Sequence, residues 1–204
     1  MARTQDQRKA ETRQRLLLAA ARLFASEGVD GASVDAIADE ADRTSGSVYA
    51  HFGGKQGLLL ALAEDLQNQL AAVMQAEFAA REDLDGRLRG LWRNISEHRG
   101  TEDTPWFLLE VELWLRAFRD PQIAEPVAAR YRSIHALMRG EFRNWVQEFG
   151  LTPAIDVELL PQALMGALMG LQMQHRIDPE VVNDDLATNV LLALFGARPA
   201  ETRD

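Results

Sequence analysis

Apolar residues recur three and four positions apart along almost the whole chain, and nowhere does the period-two alternation of a half-buried strand persist. A chain patterned this way has only helices from which to build a core, so the expected fold class is all-α. Leu16, Leu17, Ala20, Leu23 and Phe24 form the first stripe, and Gly28 behind it suits a left-handed helix end. The turn from Gly28 to Gly31 leads to Ser33, a good N-cap, with Asp35 in the positive first turn of a short second helix carrying Ile37, Ala38 and Ala41. Asp42 and Arg43 break that helix, Thr44 caps a third, and Val48 and Phe52 face inward four residues apart. Beyond Gly53 and Gly54 a long helix is expected over 55–81, bearing Leu58, Leu62, Leu66, Leu70, Val73 and Phe78. Further helices are expected near 84–99, 105–118, 121–149, 156–176 and 180–196. Their punctuation is Gly100, Pro105, Asp120-Pro121, Gly150 with Pro153, and Asp178-Pro179. The pattern amounts to about nine helices.

Composition narrows the class. Cysteine is absent, which removes disulfides, thiol nucleophiles and thiolate metal sites and fits a reducing cytosol. No apolar run approaches the roughly 18 residues of a membrane span; runs such as Leu16–Ala21 and Leu58–Ala63 are far shorter. The amino-terminal arginines are interrupted by Asp6 and Glu11, unlike a transit peptide. A cytoplasmic location without membrane contact is therefore expected. The net charge of −9 at first argues against a polyanionic partner. It is unevenly spread, however: residues 1–57 are neutral overall, residues 58–204 carry the whole acidic excess, and residues 1–15 hold five basic side chains against two acidic ones. That asymmetry fits a small module at 1–57 that approaches phosphate and a larger acidic body at 58–204 that does not.

Three short helices in the first 52 residues, with a tight turn between the second and third, fit a helix-turn-helix. The third helix is the informative one. Once Val48 and Phe52 are assigned inward, its open face consists of Ser45, Gly46, Ser47, Tyr49, Ala50 and His51. These are small or hydrogen-bonding groups with little bulk at the amino-terminal end, so the helix can enter a major groove closely and turn its first amides to a phosphate. A helix built only to pack more often covers its open face with long charged side chains.

The segment from Ile37 to Leu59 also resembles the signature of the TetR/AcrR family, which runs roughly I-A-x-x-A-G-V-S-x-G-x-[LFV]-Y-x-[HY]-F-x-[SGN]-K-x-x-L. Ala20, Leu23, Phe24 and Ala25 resemble the family's first helix, and the likeness covers about residues 10–62. It implies a transcriptional repressor that binds double-stranded, palindromic operator DNA as a homodimer and answers to a small-molecule effector. By position, Thr44, Tyr49, His51 and Lys55 resemble the family's contacts to the DNA backbone, while Ser45 and Ser47, flanking Gly46, resemble its base-edge positions. Hydroxyl, phenol and imidazole groups donating to phosphate oxygens position a protein without reading sequence. Tyr49 also reads as a half-buried core tyrosine, His51 as a solvated histidine, and the basic arm from Arg3 to Arg15 as solvated chain. Two departures from the pattern stand out. Asp42-Arg43 replaces Gly-Val, which places a guanidinium toward solvent or phosphate, and Ser45 replaces a basic residue common in the family.

The body offers two further expectations. The helix near 156–176 carries one stripe of Leu159, Leu160, Ala163, Leu164, Ala167, Leu168 and Leu171 and a second of Met165, Met169 and Met173, with Gly166 and Gly170 between. A helix apolar on more than one face needs burial on more than one side. The family's two-fold four-helix bundle, built from its last two long helices, implies a dimer interface at Leu160, Ala163, Gly166, Ala167 and Gly170, with Leu186, Asn189, Val190 and Ala193 on the next helix. Trp92, Trp106, Phe107, Trp114, Met138 and Phe142, with the methionines at 165, 169 and 173, are raw material for an apolar ligand pocket between helices 84–149 and 156–176, where Glu110 would favour a cation. Ordinary core packing is the better reading for any one of the apolar residues, and an exposed helix charge is the better one for Glu110.

No phosphate-binding glycine loop, zinc-binding histidine pair or nucleophile elbow occurs, and His98, His135 and His175 lack metal-site spacing. No catalytic residue, metal or cofactor is therefore expected. The alternatives that stay open are a ligand-binding protein of this fold whose DNA contacts are lost and, more remotely, an all-helical enzyme.

Overall fold

The computed structural model describes residues 4–97 and 106–198. Arg3, His98, Gly100 and Pro105 lie outside them, as do the side chains of Leu70, Val73 and Trp106. Among the described residues there are nine α-helices, one 3-10 turn and no strand. The helices are α1 (Gln5–Gly31), α2 (Val34–Glu40), α3 (Ser45–Phe52), α4 (Lys55–Ala79), α5 (Leu84–Glu97), α6 (Trp106–Ala117), α7 (Pro121–Glu148), α8 (Leu160–Ile177) and α9 (Asp184–Leu194). They gather into two compact units. The first takes residues up to 69 together with the described part of 99–130, and the second takes the described part of 70–98 together with 131–198. No helix among the described residues is long and apolar enough to cross a membrane.

In the first unit α1 opens on a capping box, in which Thr4 Oγ1 accepts the Gln7 amide at 3.2 Å and Gln7 Oε1 accepts the Thr4 amide at 2.9 Å. Leu16, Leu17, Ala20 and Phe24 are buried, as their spacing requires. Gly28, with a positive φ of 73° and a ψ of 163°, breaks the helix as expected, and one further helical turn follows it to Gly31. Ser33 then caps α2, its Oγ accepting the Ala36 amide at 3.0 Å. Asp42 takes a left-handed φ of 54° in the turn, a conformation Asp bears better than most residues. Val48 is fully buried and Phe52 half-buried, so α3 has one inward side. Gly53, with φ of 73°, closes it. The following bend needs Gly57, because a Cβ there would lie 1.8 Å from the Phe52 carbonyl oxygen.

Residues 106–130 complete this unit. Phe107, Leu109 and Leu113 of α6 and Ile123 and Val127 of α7 are buried. Arg116 binds the Asp30 carboxylate at 2.5 Å, tying the end of α6 to the turn that leads into α2. Between α6 and α7 the buried Glu110 carboxylate accepts from Arg130 Nη2 at 2.6 and 2.5 Å. Truncating either member would strand a buried charge, a loss of about 3–5 kcal/mol.

The second unit is built from larger pieces. Trp145 lies against Phe142, Phe195 and Phe78 with ring centroids 4.8–5.9 Å apart, and its indole N–H donates to Glu141 at 2.7 Å. Trp92 is equally buried, packs edge-on to His175 and donates to Asp184 at 2.8 Å. Arg87 caps this cluster, lying over the rings of Trp145 and Phe149 while it grips Glu148 through two 2.8 Å bonds. Gln172 Nε2 donates to the Ile95 carbonyl at 2.7 Å, crossing from α8 to α5. The helix expected from 156 begins as a single 3-10 turn, Val157–Leu159, before α8. The one expected from 180 starts only at Asp184, because Asn183 supplies the cap by accepting the Leu186 amide at 2.9 Å.

Candidate functional site

The reading surface is assembled from short-range parts. Ser33 and the Asp42 turn fix α2, Val48 pins α3 to the core, and the Gly53–Gly57 bend carries the chain away, which leaves the outer face of α3 uncovered. Tyr49 is 59% exposed and lies beside Gly54, so it is a surface side chain and not a core tyrosine. Thr44 makes no side-chain cap; its hydroxyl pairs with that of Ser47 at 3.2 Å. Gly46 and Ala50 are exposed, and no side chain longer than serine stands on the first turn of α3. His51 is half-buried beside Phe52, 6.0 Å between rings. Its burial, followed by the positive charges of Lys9 and Arg13, holds the imidazole below its ordinary pKa, in the neutral form at neutral pH.

Three expected contact residues are placed in ways the sequence did not foretell. Ser45 Oγ donates to the Asp35 carboxylate of α2, so its proton is already committed. Asp35 had been legible only as a charge complementing the helix dipole. Arg43 does not extend into solvent: it is half-buried, with Nε donating to Thr12 Oγ1 at 3.3 Å and Nη1 to the Asp42 carbonyl at 2.6 Å. Lys55 Nζ donates to the carbonyls of Ala32 at 3.0 Å and Asp30 at 3.3 Å, which leaves one of its three N–H groups for an outside acceptor. The same Asp30 carries the Arg116 bond, and that guanidinium holds its carboxyl below the usual carboxylate range.

The expected ligand set is dispersed. Trp92 and Phe142 belong to the packed core of the second unit, where their faces are spent on neighbouring side chains. Met169 is buried, Met138 and Met165 are half-buried, and Met173 is 49% exposed, on the surface of α8. In the first unit Phe107 and Glu110 are buried and Trp114 half-buried. Since Glu110 is already neutralised by Arg130, it is not an open counter-charge for a cation. Of the expected dimer residues, Gly166, Asn189 and Ala193 are exposed, Leu186 is 42% exposed, and Ala163, Ala167, Gly170 and Val190 are half-buried. Leu160 must be withdrawn from that set: it is fully buried in its own unit, as the first residue of α8 turned into the core.

Known proteins match both parts of the chain. Residues 16–62 match the model of bacterial regulatory proteins of the tetR family. Residues 84–197 match the carboxy-terminal model of BetI-type transcriptional repressors. The HTH-type transcriptional repressor AcnR of Corynebacterium jeikeium is 26% identical over 188 residues, 91% of this chain and 94% of its own. Among solved structures, Salmonella enterica GusR superposes with a TM-score of 0.72 at 23% identity, over 91% of this chain and 96% of that one. A transcriptional regulator from Saccharomonospora viridis in complex with choline superposes with a TM-score of 0.69 at 22% identity, over 89% and 94%. The two structural likenesses speak for the fold; the two family models, one over the helix-turn-helix and the other over residues 84–197, speak for the family. This chain belongs to the tetR family of bacterial regulatory proteins.

Proposed function

We propose that the protein is a homodimeric repressor that holds a palindromic operator through α3 and releases it when a small apolar or amphipathic ligand binds its helical body. The observation that carries the DNA half is the outer face of α3, which is exposed, free of long charged side chains and flanked by hydrogen-bond donors. Thr44, Tyr49, His51 and the remaining N–H of Lys55 are the phosphate-facing set, and Gly46 lets the backbone approach closely. Ser45 and Ser47 face the base edges. With its proton committed to Asp35, Ser45 offers a groove only lone pairs, which favours the amino groups of adenine or cytosine.

Pairing of two copies through α8 and α9 is supported by Gly166, Asn189 and Ala193, with Leu186, on their outer sides and by the absence of charge on α8 before its last turn. For the ligand, Phe107 and Trp114 of the first unit and Met138, Met165 and Met169 of the second are separate candidate groups. The choline-bound relative invites a cationic reading. Here a cation would have to displace Arg130 from Glu110, which favours an uncharged or amphipathic molecule. Arg116 supplies a route to the reading head, because any shift of α6 pulls on Asp30 and the turn that seats α2.

Selection of duplexes by the purified protein from a random-sequence pool tests this reading. An inverted repeat with half-site centres about 34–36 Å apart should be enriched. No enrichment would leave a ligand-binding protein whose DNA contacts are lost.

A further inference from the structure

The amino-terminal half of α1 and the turn before α3 enclose a basic cleft of about 510 Å³, lined by Arg8, Glu11, Thr12, Arg15 and Arg43. Three guanidiniums face one carboxylate, and that carboxylate is bonded to Arg15 at 2.9 Å, so the cleft keeps a net positive charge. Arg43 is the organising member. Its Nε is held by Thr12 and its Nη1 by the Asp42 carbonyl, with the Asp42 carboxylate 3.9 Å away, which fixes the guanidinium and leaves the N–H groups of Nη2 for an outside acceptor. Thr12, having accepted from Arg43, keeps its own hydroxyl proton to donate. The neighbouring basic row of α1 is occupied elsewhere: Arg13 lies over the Phe52 ring at 5.6 Å, and Lys9 bears with it on His51.

We propose that this cleft is a phosphate subsite, taking one operator backbone phosphate per reading head beside those met by α3. It rests on the DNA-binding reading above. Arg43 directly precedes Thr44, the N-cap of α3, so a strand lying along the reading helix passes the cleft mouth. Forked guanidiniums and a hydroxyl donor match the two free oxygens of a phosphodiester. The cleft is open and much larger than a single anion, which suits a strand running through it more than a captured ion. Arg43 stands where the family pattern has valine, so this contact distinguishes the chain within its family.

The test is the salt dependence of binding to a selected duplex, using full-length wild type, Arg43→Val and, on the exposed surface of α1, Arg8→Ala, with helicity checked by circular dichroism. Each phosphate lost should flatten the slope of log affinity against log salt by roughly 0.9 per head. Raising salt from about 50 to about 200 mM would then cost each variant roughly threefold less affinity per head than it costs wild type. Base preference should not change. Unaltered slopes in both variants overturn the proposal. Inorganic phosphate at constant ionic strength should displace DNA from wild type more readily than from Arg43→Val, and equal displacement from both would overturn it as well. A wild type that enriches no duplex fails one step earlier, at the DNA-binding reading itself.

Discussion

α3 and α8 share an oddity on their outer sides. Neither bears the long charged side chains that usually cover an exposed helix: α3 has no Asp, Glu, Lys or Arg, and α8 has none from Leu160 to Gln174. What stands in their place differs. On α3 it is serine, tyrosine and histidine, short groups that donate and accept hydrogen bonds. On α8 it is Gly166, Met173 and Ile177, which offer shape and apolar area, with Gln162 and Gln174 as exposed amides. Where charge is missing from an exposed face, the residues left behind tell which chemistry that face suits. The first suits the polar edges of a groove, the second another apolar surface.

The hardest blow to this comparison falls on α8. Gly166→Arg should yield a monomer by sedimentation and, because each half-site alone is weak, cut operator affinity by about 10²- to 10⁴-fold. A dimeric Gly166→Arg protein would remove α8 from the pairing surface. On α3, two single-group changes should separate reading from positioning. Ser47→Ala should shift base preference at one position by about 1–3 kcal/mol. Tyr49→Phe should weaken every sequence alike by about 0.5–1.5 kcal/mol. If selection gave the same site for Ser47→Ala as for wild type, the base-edge role would go.

The smallest effect concerns His51. Its depressed pKa means that the unfolded chain binds the proton more readily, so the free protein loses stability as pH falls through the ordinary histidine range and regains it as pH rises. A phosphate beside the ring acts the other way and draws the pKa upward, so operator affinity should increase as pH is lowered from about 7 to about 5. His51→Gln should flatten that profile. A wild-type profile already flat would return His51 to ordinary surface.

What could be read in advance followed the range of the interaction. The Ser33 cap, the left-handed Asp42 and the closing Gly53 rest on a few consecutive residues, and all stand as expected. Gly28 shows the limit of that logic, since its break in the helix was legible but the further helical turn to Gly31 was not. Pairs between distant elements left no periodic trace. Asp30 and Arg116 are 86 positions apart, Glu110 and Arg130 are 20, and the turn of Arg43 toward Thr12 depends on how α1 lies against the helix-turn-helix. For the same reason Leu160 belonged to a correct apolar stripe yet sits on its inner side. Spacing tells which residues share a face, and only packing tells which face is covered.

The two compact units are interleaved along the gene: the chain leaves the first within α4, returns to it before α6, and leaves it again within α7. During synthesis the first unit therefore cannot be complete until residue 130 has been made, well after the reading helix has emerged. The same order constrains engineering. A graft that takes only residues 1–57 as a transplantable DNA-binding head would leave behind Arg116, the guanidinium that secures the Asp30 turn. A chimera that keeps residues 1–57 with their own α6 preserves that bond, and any exchange of one unit between such regulators has to be cut at three places instead of one.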